Sequence, residues 1–264
     1  MLVLLIAKIV VCAGFVLGVT AAAERLGPRL GAIVSAMPQL SVVSMIFFTL
    51  EQGPAFAAES LYWTIPGMCA TVPVFLGYLV ATRFVPVPRA ASVAVGVALG
   101  IVSFAVTAVL LAAIPLTRST VLPLAAAVCG ATAWLVRKLP DTAPLRRVPS
   151  SPLVLATRLG VSAITVITVT GLAHVLGPKW SGLIVGFPVN GLPVMAILHA
   201  QYGADVTKPF IRIFPVGAFG ICLFNLVGSL VLVRLGLAPA LVLAYAVDIA
   251  YLALVVGGLR RWRR

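Results

Sequence analysis

Long apolar runs separated by short polar connections account for most of this chain. The runs cover residues 2–23, 29–50, 59–82, 90–114, 119–136, 153–175, 180–201, 207–233 and 237–258. Each approaches the roughly 20 residues that a helix needs to cross the hydrocarbon core of a bilayer. The pattern therefore predicts an all-α fold, a polytopic transmembrane helical bundle of about nine spans.

Several prolines lie inside these runs, where the missing N–H group and the clash with the preceding turn disrupt a helix. Pro38 and Pro188 fall within the second and seventh runs, and we expect each to kink or open its helix. Pro66 and Pro73 are predicted break points of the third run.

Composition places the chain in the membrane class. Hydrophobic residues make up 62% of the sequence and charged residues 9%, and the mean hydropathy is +1.17. So little polar surface does not cover a soluble domain of 264 residues. A net charge of +13 would indicate nucleic acid in a soluble protein, but here the basic residues lie in loops and at the C-terminus. We therefore expect the lipid bilayer, and no nucleic acid, as a partner.

The basic residues divide unequally between the two faces of the predicted bundle, since alternate loops fall on opposite sides of the bilayer. One face receives Arg25, Arg29, Arg83, Arg89, Arg137, Lys138, Arg146, Arg147, Arg158, Lys208, Arg212, Arg260, Arg261, Arg263 and Arg264. The other face receives Lys8, Arg118, Lys179 and Arg234. Adding or removing one span destroys this division. The pattern predicts an external N-terminus and a cytoplasmic C-terminus.

The two halves of the chain share their glycine and proline punctuation. Leu26-Gly27-Pro28 matches Leu176-Gly177-Pro178 at an offset of 150 residues. The same register pairs Pro38 with Pro188, Met45 with Met195, Gly53 with Gly203 and Gly67 with Gly217. Because coincident Gly and Pro positions require the same backbone break twice, we interpret the halves as two copies of one unit.

The copies divide the chain into three parts. Residues 1–114 form the first four-helix repeat, residues 115–150 a connector helix with a basic cytoplasmic loop, and residues 151–264 the second repeat with a basic tail. The connector span reverses the second copy, which predicts an inverted repeat. Inverted repeats with broken helices recur in secondary transporters, where the ligand site lies near the midplane. The same symmetry also occurs in channels and scramblases.

The second half carries a further pattern. Leu176-Gly177-Pro178, Ser181-Gly182-Leu183, Gly186-Phe187-Pro188 and His199-Ala200-Gln201-Tyr202-Gly203 precede another apolar span. This pattern resembles the small GlpM-like bacterial membrane proteins, with their Gly-Leu-x-x-x-Phe-Pro and His-Tyr elements. The resemblance covers about residues 174–258, and in the first half Met37-Pro38 stands for Phe-Pro. It implies a tandem form of that family in a bacterial inner membrane.

Polar side chains inside the spans are the candidates for chemistry, because an unpaired ionisable group near mid-bilayer is costly. Asp248 lies at the centre of the ninth run, on one helix face with Tyr245 and Leu252. It is either a proton-binding or cation-coupling carboxylate or a neutral acid bonded to a neighbouring helix. His199 is a second proton-coupling candidate, with a solvated interfacial histidine as the alternative. Asn225, in the eighth run, is interpreted as a packing contact.

Amides and a hydroxyl beside the two central prolines form the candidate substrate site. Asn190 follows Pro188, and Gln39 and Ser41 are its approximate counterparts beside Pro38. Carbonyls freed at the helix breaks and these side chains would line a shared cavity. The alternative is that the side chains form helix–helix hydrogen bonds that fix packing.

Charged side chains occur near the ends of some spans. Lys8 and Arg158 occupy equivalent repeat positions close to opposite faces. As a symmetric pair they would gate an anionic substrate, but both are long enough to snorkel to the nearer interface, which we favour. Glu51 and Glu59 are interpreted as solvated charges of an outer loop, with a cation-attracting vestibule as the alternative.

Catalytic motifs do not occur in the sequence, which has no HExxH, GxSxG or Walker loop. Cys12, Cys69, Cys129 and Cys222 stand alone without metal-ligand spacing. We expect no enzymatic activity, no cofactor and no metal. The predicted function is transport of a small molecule or ion, proton-coupled or facilitative, by alternating access at a midplane site. The alternative is a non-transporting subunit or scaffold of a lipid or polysaccharide export assembly. A homodimer and a partner membrane subunit both stay open.

Overall fold

The computed structural model describes residues 6–14, 17–18, 37–84, 88–140, 152–189 and 191–262, which are helical almost throughout and contain no strand. The helices are α1 (residues 6–14), α2 (Gln39–Gln52), α3 (Pro54–Phe84), α4 (Arg89–Ala113), α5 (Arg118–Val136), α6 (Pro152–Gly171), α7 (Ala173–Val185), α8 (Gly191–Tyr202), α9 (Thr207–Leu235) and α10 (Leu237–Trp262). A short 3₁₀ turn, Ala204–Val206, leads into α9.

Five helices of the described part are long and apolar enough to cross a bilayer: Pro54–Arg83, Arg89–Ala113, Arg118–Val136, Ala204–Leu235 and Leu237–Val255. The predicted all-helical membrane class is therefore confirmed at this level. The fourth, fifth, eighth and ninth predicted spans begin and end within a few residues of these helices. Parts of the first predicted span, the whole first loop with its Gly27-Pro28 break, and the second predicted span up to residue 36 lie outside the described residues. The number of nine spans stays a prediction.

The expectation that Pro66 and Pro73 break the third span is wrong, because α3 continues through both as one helix. A proline inside a helix leaves the carbonyl four residues earlier without its N–H partner, here Tyr62 and Cys69. The surroundings outweigh this loss. The helix packs against α2, α4, α5, α7 and α9, and 72% of its most apolar stretch is buried, against 22% for α4. The central position of α3 holds the helix together.

The breaks beside Gly177 and Pro188 do occur. Gly177 has a φ of 68° and a ψ of 171°, which interrupts α7, and the chain leaves helical structure at Gly186 before α8 begins. The predicted seventh span, 180–201, is thus two short helices. Pro38 immediately precedes α2, with a φ of −77° and a ψ of 61°. Both prolines therefore mark the start of a short helix.

The same order of elements occurs twice in the described residues. The short helix α2 ends at Gly53, whose φ is 92° and ψ 164°, and the long helix α3 follows. The short helix α8 ends at Gly203, whose φ is 93° and ψ 171°, and the 3₁₀ turn and α9 follow. The two glycines are the pair aligned by the sequence register. Since L-residues with a side chain rarely adopt a positive φ, both turns require glycine.

Backbone-to-backbone contact joins α3 to α7 through three glycines. A Cβ added to Gly67 would lie 2.5 Å from the Leu183 carbonyl oxygen, and one added to Gly182 would lie 2.8 Å from the Trp63 Cβ. A Cβ on Gly186 would collide with the backbone of Gly67. Gly182 and Gly186 are one turn apart, the small-xxx-small spacing that allows membrane helices to approach closely. This contact positions the α7–α8 break against the central helix.

Candidate functional site

Three buried polar residues lie at the same depth in the bundle. Ser41 is eleven residues from the end of α2 at Gln52, Asn225 ten residues from the end of α9 at Leu235, and Asp248 eleven residues from the start of α10. These helix ends share one apolar cluster, which includes Phe48, Leu232 and Ala240. At 1.5 Å per residue, the three polar residues lie roughly 16 Å from that end. This depth is near the middle of a hydrocarbon core of about 30 Å.

Asn225 joins α9 to α2 at this depth. Its side chain is fully buried, and its Nδ2 donates to the Ser41 Oγ over 3.0 Å and to the Ile221 carbonyl over 2.8 Å. Its Oδ1 has no hydrogen-bond partner among the described residues. The bond is the packing contact expected of Asn225, but the partner is Ser41, a predicted substrate residue. Asn225 therefore belongs to the candidate site, although the sequence pattern predicts only a packing role for this amide in an apolar run.

Asp248 is fully buried against α9. A Cβ added to Gly220 would lie 2.5 Å from the Asp248 Oδ1 and 3.2 Å from the Tyr251 ring, so the carboxyl group lies close against the glycine backbone of α9. Neither carboxyl oxygen has a hydrogen-bond partner in the described part of the chain. A buried acid without a partner in a bilayer segment is unfavourable unless a proton, water or ligand satisfies it.

The two helix breaks lie at the inner ends of α2 and α8. Gln39 is the first residue of α2 and is half-buried. Asn190 lies outside the described residues. The Gly186 carbonyl, freed where α7 ends, accepts a hydrogen bond from the Thr71 hydroxyl of α3, and the Pro188 carbonyl accepts from the Leu192 N–H at the start of α8 over 3.0 Å. The break is thus hydrogen-bonded to the central helix on its α7 side.

His199 is buried and hydrogen-bonded, so it is not the solvated interfacial histidine of the alternative interpretation. Its side chain is 3% exposed, and its Nδ1 lies 2.9 Å from the Tyr78 hydroxyl of α3. The structure thus brings His199 together with Tyr78, whereas it brings Asp248 together with Gly220 and Tyr251. A proton relay from His199 to Asp248 stays a prediction.

Lys8 and Glu51 form a buried ion pair between α1 and α2. The Lys8 Nζ lies 2.8 Å from the Glu51 Oε1 and donates to the Oε2 over 3.0 Å, and the two side chains are only 9% and 15% exposed. The ammonium group also lies 5.8 Å from the centre of the Phe47 ring. Lys8 therefore does not snorkel to water, and Glu51 is not a solvated loop charge. The side chain of Arg158 lies outside the described set.

Glu59 also has a partner, at the same end of the bundle. Its Oε1 accepts a hydrogen bond from the Trp63 Nε1 over 2.9 Å. The Lys179 ammonium group lies 4.5 Å from the centre of the Trp63 ring and donates to the Ala112 carbonyl over 2.6 Å. Glu59 and Trp63 belong to α3, Lys179 to α7 and Ala112 to the last turn of α4. These contacts therefore join three helices.

An open groove of about 280 Å³ lies between α5, α9 and α10. The side chains that α5 contributes to its walls are small, and Tyr251 of α10 lines the opposite side. The lining residues are Ala126, Cys129, Gly130, Ala133, Pro215, Val216, Phe219 and Tyr251. Within the described ranges, no group of three or more His, Cys, Asp or Glu side chains is placed to hold a metal ion.

Comparisons of the chain with protein-family models, with curated proteins and with solved structures found no match. The resemblance to the GlpM-like proteins therefore stays a prediction.

Proposed function

We propose that the protein transports a small molecule or ion, by proton coupling or by facilitated diffusion, through alternating access at a midplane site. The observation that carries this proposal is Asp248, a fully buried carboxyl group without a partner among the described residues, at mid-bilayer depth. Ionisable residues at such positions are expensive and mark ion or proton pathways. Asp248 is proposed to bind the coupling proton or cation.

The arrangement of the short helices supports an inverted repeat. The end of α2 packs where α9 ends, since Phe48 and Leu232 share one cluster. The end of α8 leads directly into the start of α9. Because α9 is a single helix of 29 residues, α2 and α8 run in opposite directions across the bundle. Opposed short helices beside chain breaks are a feature of inverted-repeat transporters.

The proposed substrate site lies where these short helices begin. Gln39 and Ser41 supply polar groups beside Pro38, and Asn190 supplies an amide beside Pro188. Asn225 joins them, because it donates to Ser41 while its Oδ1 has no hydrogen-bond partner among the described residues. The full architecture that we propose has nine spans in two inverted four-helix repeats joined by a connector, in the inner (plasma) membrane, with the N-terminus outside and the C-terminus in the cytoplasm.

Substitution of Asp248 tests the proposal. Purified protein in vesicles that contain a pH-sensitive dye is exposed to a panel of small cations, anions, sugars and amino acids, and solute-dependent proton movement is recorded. We expect Asp248→Asn to abolish that movement while expression and folding stay intact. Asp205→Asn is the matched control, because the Asp205 side chain is 87% exposed. Solute-dependent proton movement that is unchanged in Asp248→Asn would remove Asp248 from the mechanism.

A second function, a non-transporting subunit of a lipid or polysaccharide export assembly, draws on the groove between α5, α9 and α10. Its small residues Ala126 and Gly130 provide the kind of surface on which membrane helices pack. Two results together would favour this function over transport. One is cross-linking from Ala126→Cys to a helix of a defined partner, and the other is a vesicle assay in which no solute of the panel causes proton movement.

A further inference from the structure

The two short helices are each flanked by backbone breaks, which makes them candidates for moving parts. The break before α2 is at Pro38 and the break after it is at Gly53; the break before α8 is at Pro188 and the break after it is at Gly203. No atom lies within 4 Å of a Cβ added to either glycine. The space beside each glycine is therefore open, and we take the two glycine turns as candidate hinges.

Each short helix carries one polar tie near its glycine end. Glu51, in the last turn of α2, is paired with Lys8 of α1. His199, in the last turn of α8, is bonded to Tyr78 of α3. The side chains around the first tie are apolar, with Val43 and Phe47 of α2 packed against α1. Among the described residues, the packing that surrounds the first tie is apolar and therefore non-directional.

The two ties lie at opposite ends of the central helix. Glu51 is just before the start of α3, at Pro54, whereas Tyr78 is in its last two turns. The 24 residues from 54 to 78 span about 36 Å at 1.5 Å per residue, which is more than the thickness of a hydrocarbon core.

We propose that α2 and α8 are the two gates of the midplane site, and that the Lys8–Glu51 and Tyr78–His199 contacts are the latches that close them toward opposite faces of the membrane. This proposal rests on the transport function proposed above. The ion pair closes the seam between α1 and α2, and the hydroxyl–imidazole bond closes the seam between α3 and α8. Each latch opens in the state in which the other is closed, so that the site faces one side at a time.

Cysteine labelling tests the latches without knowledge of the substrate. Met45 of α2 and Met195 of α8 are equivalent in the repeat register and are 0% and 1% exposed, so they are matched probe positions. In the full chain with Cys12, Cys69, Cys129 and Cys222 replaced by serine, Met45→Cys or Met195→Cys is exposed to a membrane-impermeant maleimide in right-side-out and inside-out vesicles.

Breaking a latch is expected to expose only its own gate. Lys8→Met raises the labelling rate of Met45→Cys about tenfold from one side of the membrane, and Tyr78→Phe raises that of Met195→Cys about tenfold from the other side. Reversing the pair, Lys8→Glu with Glu51→Lys, returns Met45→Cys to its original rate. Arg118→Met and Tyr202→Phe, exposed residues near the respective ends, leave the labelling rates unchanged.

Two results overturn the latches. One is labelling that does not change in Lys8→Met or Tyr78→Phe. The other is labelling that rises at both probes in each variant, which is general loosening of the bundle. Failure of the transport function gives a different result. If labelling is one-sided but no solute moves protons in the vesicle assay, the gates are supported and solute transport is refuted.

Discussion

The contact between α3 and α7 gives a sharp prediction for Gly182→Ala. The added Cβ would lie 2.8 Å from the Trp63 Cβ and closer still to the Ser60 carbonyl oxygen. Since carbon atoms pack at about 3.5–4 Å, the two helices must separate by roughly 1 Å. Neither neighbour is the free end of a flexible side chain, so local rotation does not relieve the clash.

The expected destabilisation follows from two opposing contributions. Overpacking costs about 1–3 kcal/mol, and a clash with backbone atoms belongs at the upper end. Alanine favours the helical state over glycine by about 1 kcal/mol. The net loss for Gly182→Ala is therefore about 2 kcal/mol. In a chain of this size, such a loss lowers the melting temperature by about 4–8 °C.

Thermal melts of the purified protein, followed by tryptophan fluorescence, measure this shift. The matched control is Gly130→Ala in α5, where no atom lies within 4 Å of the added Cβ and helix propensity predicts an equal or higher melting temperature. A Gly182→Ala variant that melts with the parent would refute the close approach of α3 and α7. An equal drop in Gly130→Ala would show that the effect belongs to glycine in general.

Two further substitutions probe backbone and electrostatics. Gly53→Ala places a side chain at a φ of 92°, and we expect it to destabilise the fold by about 1–2 kcal/mol in the same melts. The control is Gly171→Ala, which adds a methyl group in open space at the end of α6. Equal melting temperatures of the two variants would argue against a turn that requires glycine. Lys8→Met leaves Glu51 buried without its cation and should cost about 3 kcal/mol. Adding Glu51→Gln should restore most of that stability, and a double variant as unstable as the single one contradicts a buried pair.

The helix breaks show how much of this fold can be predicted from the sequence. Gly53 and Gly203 were aligned by punctuation alone, and the structure gives them nearly the same φ and ψ. The same punctuation predicts helix breaks at Pro66 and Pro73, and this prediction is wrong. The packing of α3 against five neighbouring helices outweighs the missing hydrogen bonds. A glycine that must adopt a positive φ can be recognised from the sequence around it. Whether a helix continues through a proline depends on the helices that pack against it.

The residues of the candidate site can be predicted from the sequence, but their pairings cannot. Asp248 was identified from its position inside an apolar run, and its burial agrees with that choice. The bond from Asn225 to Ser41 joins residues 184 positions apart, and the pairing of Lys8 with Glu51 spans 43 positions. Hydropathy patterns carry no information on which faces of distant helices meet.

The amino-acid sequence by itself therefore determined the all-helical membrane class, the limits of the long helices, the glycine turns and the buried acid, since each depends on the local match between side chains and their immediate surroundings. Only the tertiary structure decided which glycines are helix contacts, which prolines are tolerated and which charges are paired. Those outcomes depend on how whole helices pack against one another, and the sequence pattern of one helix does not specify which other helix packs against it.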